Sequence, residues 1–335
     1  MTRSHLVAFR RTRRTLLRAS LAAAGVAALP SFAVLPASAR ADGGEVRIGY
    51  QKGSSNLLLL KAQDLLGPAL EPLGYTVTWT EFQAGVPLLE ALNAGALDFG
   101  TTGAPPPIFA QAAGADLIYA AAATPSPLEE GILVPQDSTI QTVADLKGKK
   151  VAVAKGSSAN AFLAYALEST GLAWDDVEAV FLLPADAKAA FDGGAIDAWA
   201  IWDPYAAVAE DTSNARSIAD GTTANHTNRS FYLASRAFAT EHAEALALII
   251  AALETSDAWA GAHPEEVADL VAGETGIDVA TQLKVEQRSA YGIEPITPEI
   301  VAEQQELADM FFDLGLLPEQ VDIASAVLTV ATPTS

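Results

Sequence analysis

Lys-Gly-Ser-Ser is written twice in this chain, at 52–55 and at 155–158. Each copy stands between a short apolar run ("EVRIGY" at 45–50, "KKVAVA" at 149–154) and a long stretch with helical character ("NLLLLKAQDLL", "ANAFLAYALES"). Residues of these types in this order can bind an anion. Glycine adopts backbone angles that other residues avoid, and serine caps a helix start. The first amides of a helix point outward unpaired, with partial positive charge behind them. Such a terminus holds an oxyanion without lysine or arginine. One turn of this kind is equally a plain helix cap; two turns facing one another across a cleft would grip one ligand from both sides. No Walker spacing G-x-x-x-x-G-K-[ST] occurs, and no G-x-G-x-x-G follows a strand, so nucleotide binding has no support.

Two further stretches carry candidate chemistry. "FGTTGAPPP" at 99–107 reads as a loop that follows a strand and opens a helix. Thr101 and Thr102 bring hydroxyls, Gly103 lets backbone approach a ligand, and the prolines stiffen the turn. A triple proline is as readily a rigid turn and nothing more. "DAWAIWDPY" at 197–205 brings two Trp and a Tyr near a strand end, as core or as the apolar wall of a pocket. Trp199 and Trp202 have opposite strand parity, so one at most faces a cleft. Trp202 is favoured, because it lies at the carboxyl end of the strand, where open α/β sheets place ligands.

Catalysis has little to stand on. The chain has no cysteine, which excludes disulfides, thiolate metal sites and a thiol nucleophile. His226, His242 and His263 lie in separate segments and read as lone surface histidines. Ser157 and Ser158 lack the G-x-S-x-G elbow. Asp98 and Asp197 each begin a strand after a Gly turn and read as turn residues.

The elements that must position these residues alternate along the chain. Strands are expected at 46–50, 75–81, 97–100 and 116–122, with helices at 55–66, 86–94 and 106–113. A second set has strands at 130–134, 150–154, 177–182, 197–202 and 215–219, with helices at 158–169, 184–193 and 204–210. A strand at 231–235 precedes a nearly all-helical remainder that ends in a helix near 297–314. Alternating β and α predicts mostly parallel sheets covered by helices. A second echo, "LNAGALDFG" and "FDGGAIDAWA", follows the first in the same order. The general likeness of α/β units explains that order but explains the KGSS identity less well.

Length and composition allow one large or two medium domains with an ample core, since 335 residues are 50% hydrophobic. The first 39 residues stand apart. They hold six Arg and no acid, then an Ala/Leu-rich run and "ASA" at 37–39. That is a signal-peptide pattern, and "TRRTLLR" at 12–18 fits a twin-arginine export signal. Pro30, Pro36 and the weak apolarity of Ala argue against a membrane anchor over 19–39. Leaving out those six arginines takes the net charge from −21 to −27. Nucleic acid and anionic membranes are poor partners for such a field. Without cysteine there is no lipoprotein anchor, so the mature protein is expected to be soluble outside the cytoplasmic membrane.

Read together, "IGYQKGSSNLLLLKA", "EFQAGVPLLEALNAGALDFGTTG", "TVADLKGKKVAVAKGSS", "LPADAKAAFDGGAIDAWAIWDPY" and "SFYLASR" resemble the aliphatic-sulfonate-binding proteins of ABC importers. The resemblance is collinear from about 46 to 325. It implies the type 2 periplasmic-binding-protein fold, α/β and two-lobed, each lobe a mixed, mostly parallel sheet flanked by helices, with a helical C-terminal region. Lobe one would comprise 45–128 and, on return, 234–325; lobe two would be 129–233. By the same resemblance the ligand would meet Gln51, Ser54, Thr101, Thr102, Gly103, Gly156, Ser157 and Ser158, with Trp202 and Asp203 completing the wall. Neutral donors suit a sulfonate, which stays ionised and only accepts hydrogen bonds.

The expected activity is capture of alkanesulfonates in the periplasm, hinge closure, and delivery to an ABC permease with its cytoplasmic ATPase, by a monomer with no cofactor. Where the family usually reads Gly-Asp-x-Pro-Pro, this chain reads Gly103-Ala104-Pro105-Pro106-Pro107, which puts the choice of sulfonate in doubt. Rival readings are a binder of taurine, nitrate or a sulfate ester, a ligand sensor for a receptor, and an enzyme such as a desulfinase on the same fold.

Overall fold

The computed structural model describes residues 43–328; the expected signal peptide lies outside them. Among the described residues, eleven strands form two sheets. In chain order they are β1 (Glu45–Gln51), β2 (Thr76–Phe82), β3 (Phe99–Gly103), β4 (Leu117–Ala123), β5 (Glu130–Pro135), β6 (Lys150–Val153), β7 (Glu178–Phe181), β8 (Ala198–Trp202), β9 (Ala215–Asp220), β10 (Ser230–Ser235) and β11 (Ile293–Glu294). The six-stranded sheet has the order β11-β4-β10-β3-β1-β2 and the five-stranded sheet β7-β6-β8-β5-β9.

In each sheet most strands run one way, and the strands that follow a crossing between sheets run against them. β1 pairs parallel with β2 and β3, whereas β10 is antiparallel to β3 and β4. β6 pairs parallel with β7 and β8, whereas β5 is antiparallel to β8 and β9. The chain leaves the first sheet after β4, builds the whole second sheet, and returns through β10. The two crossings therefore lie side by side, and the Asn228 side-chain amide donates to the Ser126 carbonyl between them at 2.9 Å.

The sequence periodicity is realised with two changes. The helix expected at 55–66 stops at Ala62, because Asp64 takes a left-handed backbone (φ 49°), and a second short helix runs Leu66–Leu70. Residues expected as a loop at 99–103 are strand β3 itself, paired residue by residue with β10; the helix Pro105–Ala112 starts directly after it. The two-residue strand β11 carries too little pattern to be read from sequence.

The two echoes are structurally equivalent. In the first sheet the Asp98 amide donates to the Arg47 carbonyl at 2.9 Å and an Asp98 carboxylate oxygen accepts the Arg47 amide at 2.8 Å. In the second the Asp197 amide donates to the Lys150 carbonyl at 2.9 Å and the carboxylate accepts the Lys150 amide at 2.8 Å. Each Asp thus extends a parallel ladder by one side-chain rung, satisfying strand-end donors that water would otherwise take. Apolar layers flank both sheets: Leu57–Leu60 pack with Ile48, Phe99 and Ile249 on the first, and Phe162, Leu163 and Leu167 with Val151 and Val153 on the second.

Candidate ligand-binding cleft

The carboxyl ends of β1, β3 and β8 converge with the N-termini of helices Ser55–Ala62 and Ser158–Ser169 on one cavity of about 90 Å³. One water needs roughly 10–15 Å³ measured in this way, so a small organic ion fits. Gln51, Ser54, Thr101, Thr102, Gly103, Ser157, Ser158, Trp202 and Asp203 all line it. Gly156, expected among them, is not in the wall. Its left-handed backbone (φ 68°) forms the turn, and its amide donates to Asn160 Oδ1 at 3.1 Å, so it shapes the site without facing the cavity.

The two serine turns differ in detail. Ser157 caps its helix in the ordinary way, its Oγ accepting the Asn160 amide at 3.3 Å. Ser54 caps backward instead: its Oγ accepts the Gln51 amide at 3.1 Å and makes no bond to its own helix. The first amides of Ser55–Ala62 are left without a side-chain cap, which suits them to a ligand oxygen.

Hydrogen bonds within the protein decide which donors remain. The Thr101 hydroxyl donates to the Phe231 carbonyl (3.1 Å), the Thr102 hydroxyl to the Gly103 carbonyl (2.9 Å), and the Ser157 hydroxyl to the Ala154 carbonyl (2.6 Å). Those three protons, expected to serve a ligand, are spent. Ser54 and Ser158 keep theirs. Gln51 Nε2 gives one proton to the Thr101 carbonyl at 3.2 Å and has another to give. No Lys or Arg stands in the lining; its charged members are Glu129 and Asp203.

Asp203 is committed inside the protein. It is 4% exposed, accepts the Ala207 amide at 2.9 Å, and takes Arg288 Nη1 on its two oxygens at 3.3 and 3.2 Å. Burial pushes its carboxyl up to about 6 and Arg288 pulls it back. The other Arg288 nitrogen reaches Glu210 at 2.6 Å. Trp202 lines the cavity against Tyr205, while Trp199 is buried beside Phe191, as strand parity required.

The halves touch at two glycines. A Cβ on Gly53 would fall 2.5 Å from the Asp203 carbonyl oxygen, and one on Gly103 would fall 2.9 Å from the Ser158 Cβ. Only glycine lets the backbone approach its neighbour so closely at these two points.

Sequence reasoning missed the residues supplied by the crossings and the return segment: Ser126, Glu129, Asn228 and Ala290 in the wall, and Arg288 behind it. No local signal marked them; Glu129, next to Glu130 at the start of β5, is one of many acids in the chain. Ala104 lies outside the lining, packed with Ile108 and Phe231, and its carbonyl accepts Gln304 Nε2 at 2.6 Å. One histidine expectation is corrected. His226 is not a surface residue: it is 6% exposed, under the Tyr165 ring, with Nε2 3.2 Å from Glu130 Oε2.

Two helix-covered mixed sheets meeting at a polar cavity are the architecture of a periplasmic-type solute-binding protein. The chain belongs to the NMT1/THI5-like family, whose model matches residues 76–267. It is 43% identical over 310 residues, 92% of this chain and 95% of the other, to an aliphatic sulfonates-binding protein of Escherichia coli (strain K12). Among solved structures it resembles the alkanesulfonate-binding protein from Xanthomonas axonopodis pv. citri bound to MOPS, with 39% identity and a TM-score of 0.81 over 85% of this chain and 98% of that one. It also resembles the periplasmic aliphatic sulphonate binding protein of Escherichia coli, with 43% identity and a TM-score of 0.76 over 84% and 97% of the two chains.

Proposed function

We propose that this protein captures an aliphatic sulfonate in the cleft between its two sheets and delivers it to an ABC permease for sulfur acquisition. The observation that carries the reading is a cavity walled by uncharged donors from both halves, with Gln51, Ser54 and Ser158 free to donate and no cation present. Relatives named for sulfonate binding support it. A sulfonate spreads one charge over three oxygens and has no proton of its own to offer. A shell of neutral donors and helix-end amides therefore satisfies it.

The halves 45–128 with 234–325, and 129–233, act as two lobes in this reading. Ligand bridges them, and the paired crossings serve as the hinge. The leader over 1–39 sends the chain to the periplasm by a twin-arginine route, where it works as a monomer. The mechanism is binding without chemistry. The cavity wall holds no histidine and the chain no cysteine, and neither Ser54 nor Ser158 has a histidine partner in the wall to activate it.

Calorimetric titration of the purified protein with ethanesulfonate, sulfate and nitrate, in buffer free of sulfonates, tests the reading. Tight binding of ethanesulfonate with weak sulfate supports it. Binding of sulfate or nitrate in preference, or turnover of the sulfonate, would sink it.

A further inference from the structure

We infer that Glu129 is a specificity-determining residue that receives a cationic nitrogen on the ligand's organic part, so that the preferred ligands are sulfonates carrying an ammonium group. The inference rests on the sulfonate reading above and narrows its ligand class.

Glu129 ends the short 3₁₀ turn Pro127–Glu129 at the first crossing, and its carbonyl accepts the Asp203 amide at 2.7 Å. Half-buried, Glu129 lines the cavity. Of the two carboxylates there, Asp203 is already matched by Arg288 and the Ala207 amide. Glu129 has no such match. The polar group beside it is the Ser289 hydroxyl, which already donates to the Val285 carbonyl at 3.0 Å. The charged groups acting on it are Asp203, Glu286 and Glu130, all acidic, and Glu129 in turn raises the phenols of Tyr232 and Tyr291. Glu286 is itself occupied by Ser55, Gln282 and Tyr291. Arg288, the near cation, is held by Asp203 and Glu210.

An ionised Glu129 therefore has no counter-charge from the protein. Burial of a lone carboxylate is costly, and the group either keeps its proton or finds a cation. Burial, with the neighbouring acids adding to it, pushes the Glu129 carboxyl up to about 8, so near neutral pH the empty site carries the proton. An ammonium arriving with the ligand supplies the missing charge. The proton then leaves, and the carboxylate accepts from the nitrogen. The sulfonate meets the neutral donors while the ammonium meets Glu129, so a zwitterion is matched at both ends and the carboxylate left by the departing proton is paired.

Isosteric pairs test this: taurine against propane-1-sulfonate, and 3-aminopropanesulfonate against butane-1-sulfonate, titrated calorimetrically into the wild type and Glu129→Gln. A charge-assisted bond is worth about tenfold or more in affinity. The wild type should favour at least one amine over its alkyl isostere by about that factor, with a proton released on amine binding and none on alkyl binding; Glu129→Gln should bring the ratio to about one. Melting curves establish that the variant is folded, and the proton count in the wild type stands without it. Equal binding of amine and alkyl by the wild type, or a preference that survives in Glu129→Gln, overturns the inference and leaves the sulfonate reading standing. Failure of all four to bind removes both.

Discussion

The Cα of Gly53 seats so closely on Asp203 that a methyl group there would lie 2.5 Å from the Asp203 carbonyl oxygen and 3.4 Å from the Trp202 ring. The first serine turn thus rests on the end of β8, and the cavity is closed on this side by backbone packed on backbone. Gly53→Ala should keep the fold, since the methyl would clash only where the halves meet. Ligand affinity should fall by about tenfold or more, chiefly through faster release, as in interface variants generally. Stopped-flow release of a bound sulfonate measures it; an unchanged off-rate would show that this contact is not part of the bound state.

Arg288 links the return segment to Asp203 and Glu210 of the other half. Arg288→Met leaves Asp203 buried without its cation, at a cost of about 2–3 kcal/mol near neutral pH. Adding Asp203→Asn should recover more than half of that loss, because no buried charge remains. Urea denaturation of the three proteins at about pH 7.5 and about pH 5.5 tests the account. The cost should shrink at the lower pH, where an unpaired Asp203 takes up a proton.

Several buried carboxyls are raised. Burial lifts Glu129 to about 8 and Asp203 and Asp257 to about 6, and it raises Glu286. In the unfolded chain they return to the ordinary range near 4. The folded state thus binds more protons than the unfolded one between those values. Their favourable contribution is whole below about pH 4 and is lost as pH rises through 6 for the two Asp and through 8 for Glu129. Asp145, Asp176 and Asp192, held low by capping amides and lysines, act in the opposite sense in more acid solution. The ligand-free protein should therefore be most stable near about pH 5, and roughly 2–4 kcal/mol less stable by about pH 8.5. Glu129→Gln should flatten the upper part of that slope. A melting temperature that climbs from pH 5 to 8.5 contradicts this reading.

Charge acts on ligand capture at long range. The full chain carries a formal −21, and the cavity wall adds no cation to offset it. The association rate of a simple alkanesulfonate should rise about two- to threefold between about 10 mM and 300 mM salt, as screening shortens the repulsive field. A zwitterionic ligand should show little such change. Rates that fall with salt for both would mean a local positive potential outweighs the net charge.

Much of the architecture was legible in local pattern. Alternation of apolar runs located ten of the strands, because strand and helix periods differ and burial enforces each. The repeated Lys-Gly-Ser-Ser marked two strand-to-helix turns, and both serines that follow each glycine do reach the cavity wall. Parity put Trp199 and Trp202 on opposite faces, and the place of Trp202 at the carboxyl end of the strand selected it for the cavity. Backbone angles, caps and face patterns are set by neighbours in the chain, so the sequence by itself determined them.

What only the tertiary structure decided is how the donors are shared out. Whether the hydroxyls of Thr101 and Ser157 are free depends on the carbonyls of Phe231 and Ala154, and that of Phe231 is brought near by the return strand β10. The Asp203–Arg288 pair spans 85 residues and the Ser55–Glu286 bond 231. No local period encodes such partners. Glu129 reads in sequence as one more acid among 41; it becomes distinctive because the crossing turns it into a cavity whose wall holds no cation and beside which Arg288 is already paired. Charge in water is cheap and screened, and charge in an enclosed wall is neither. That difference exists only once the chain has folded around it.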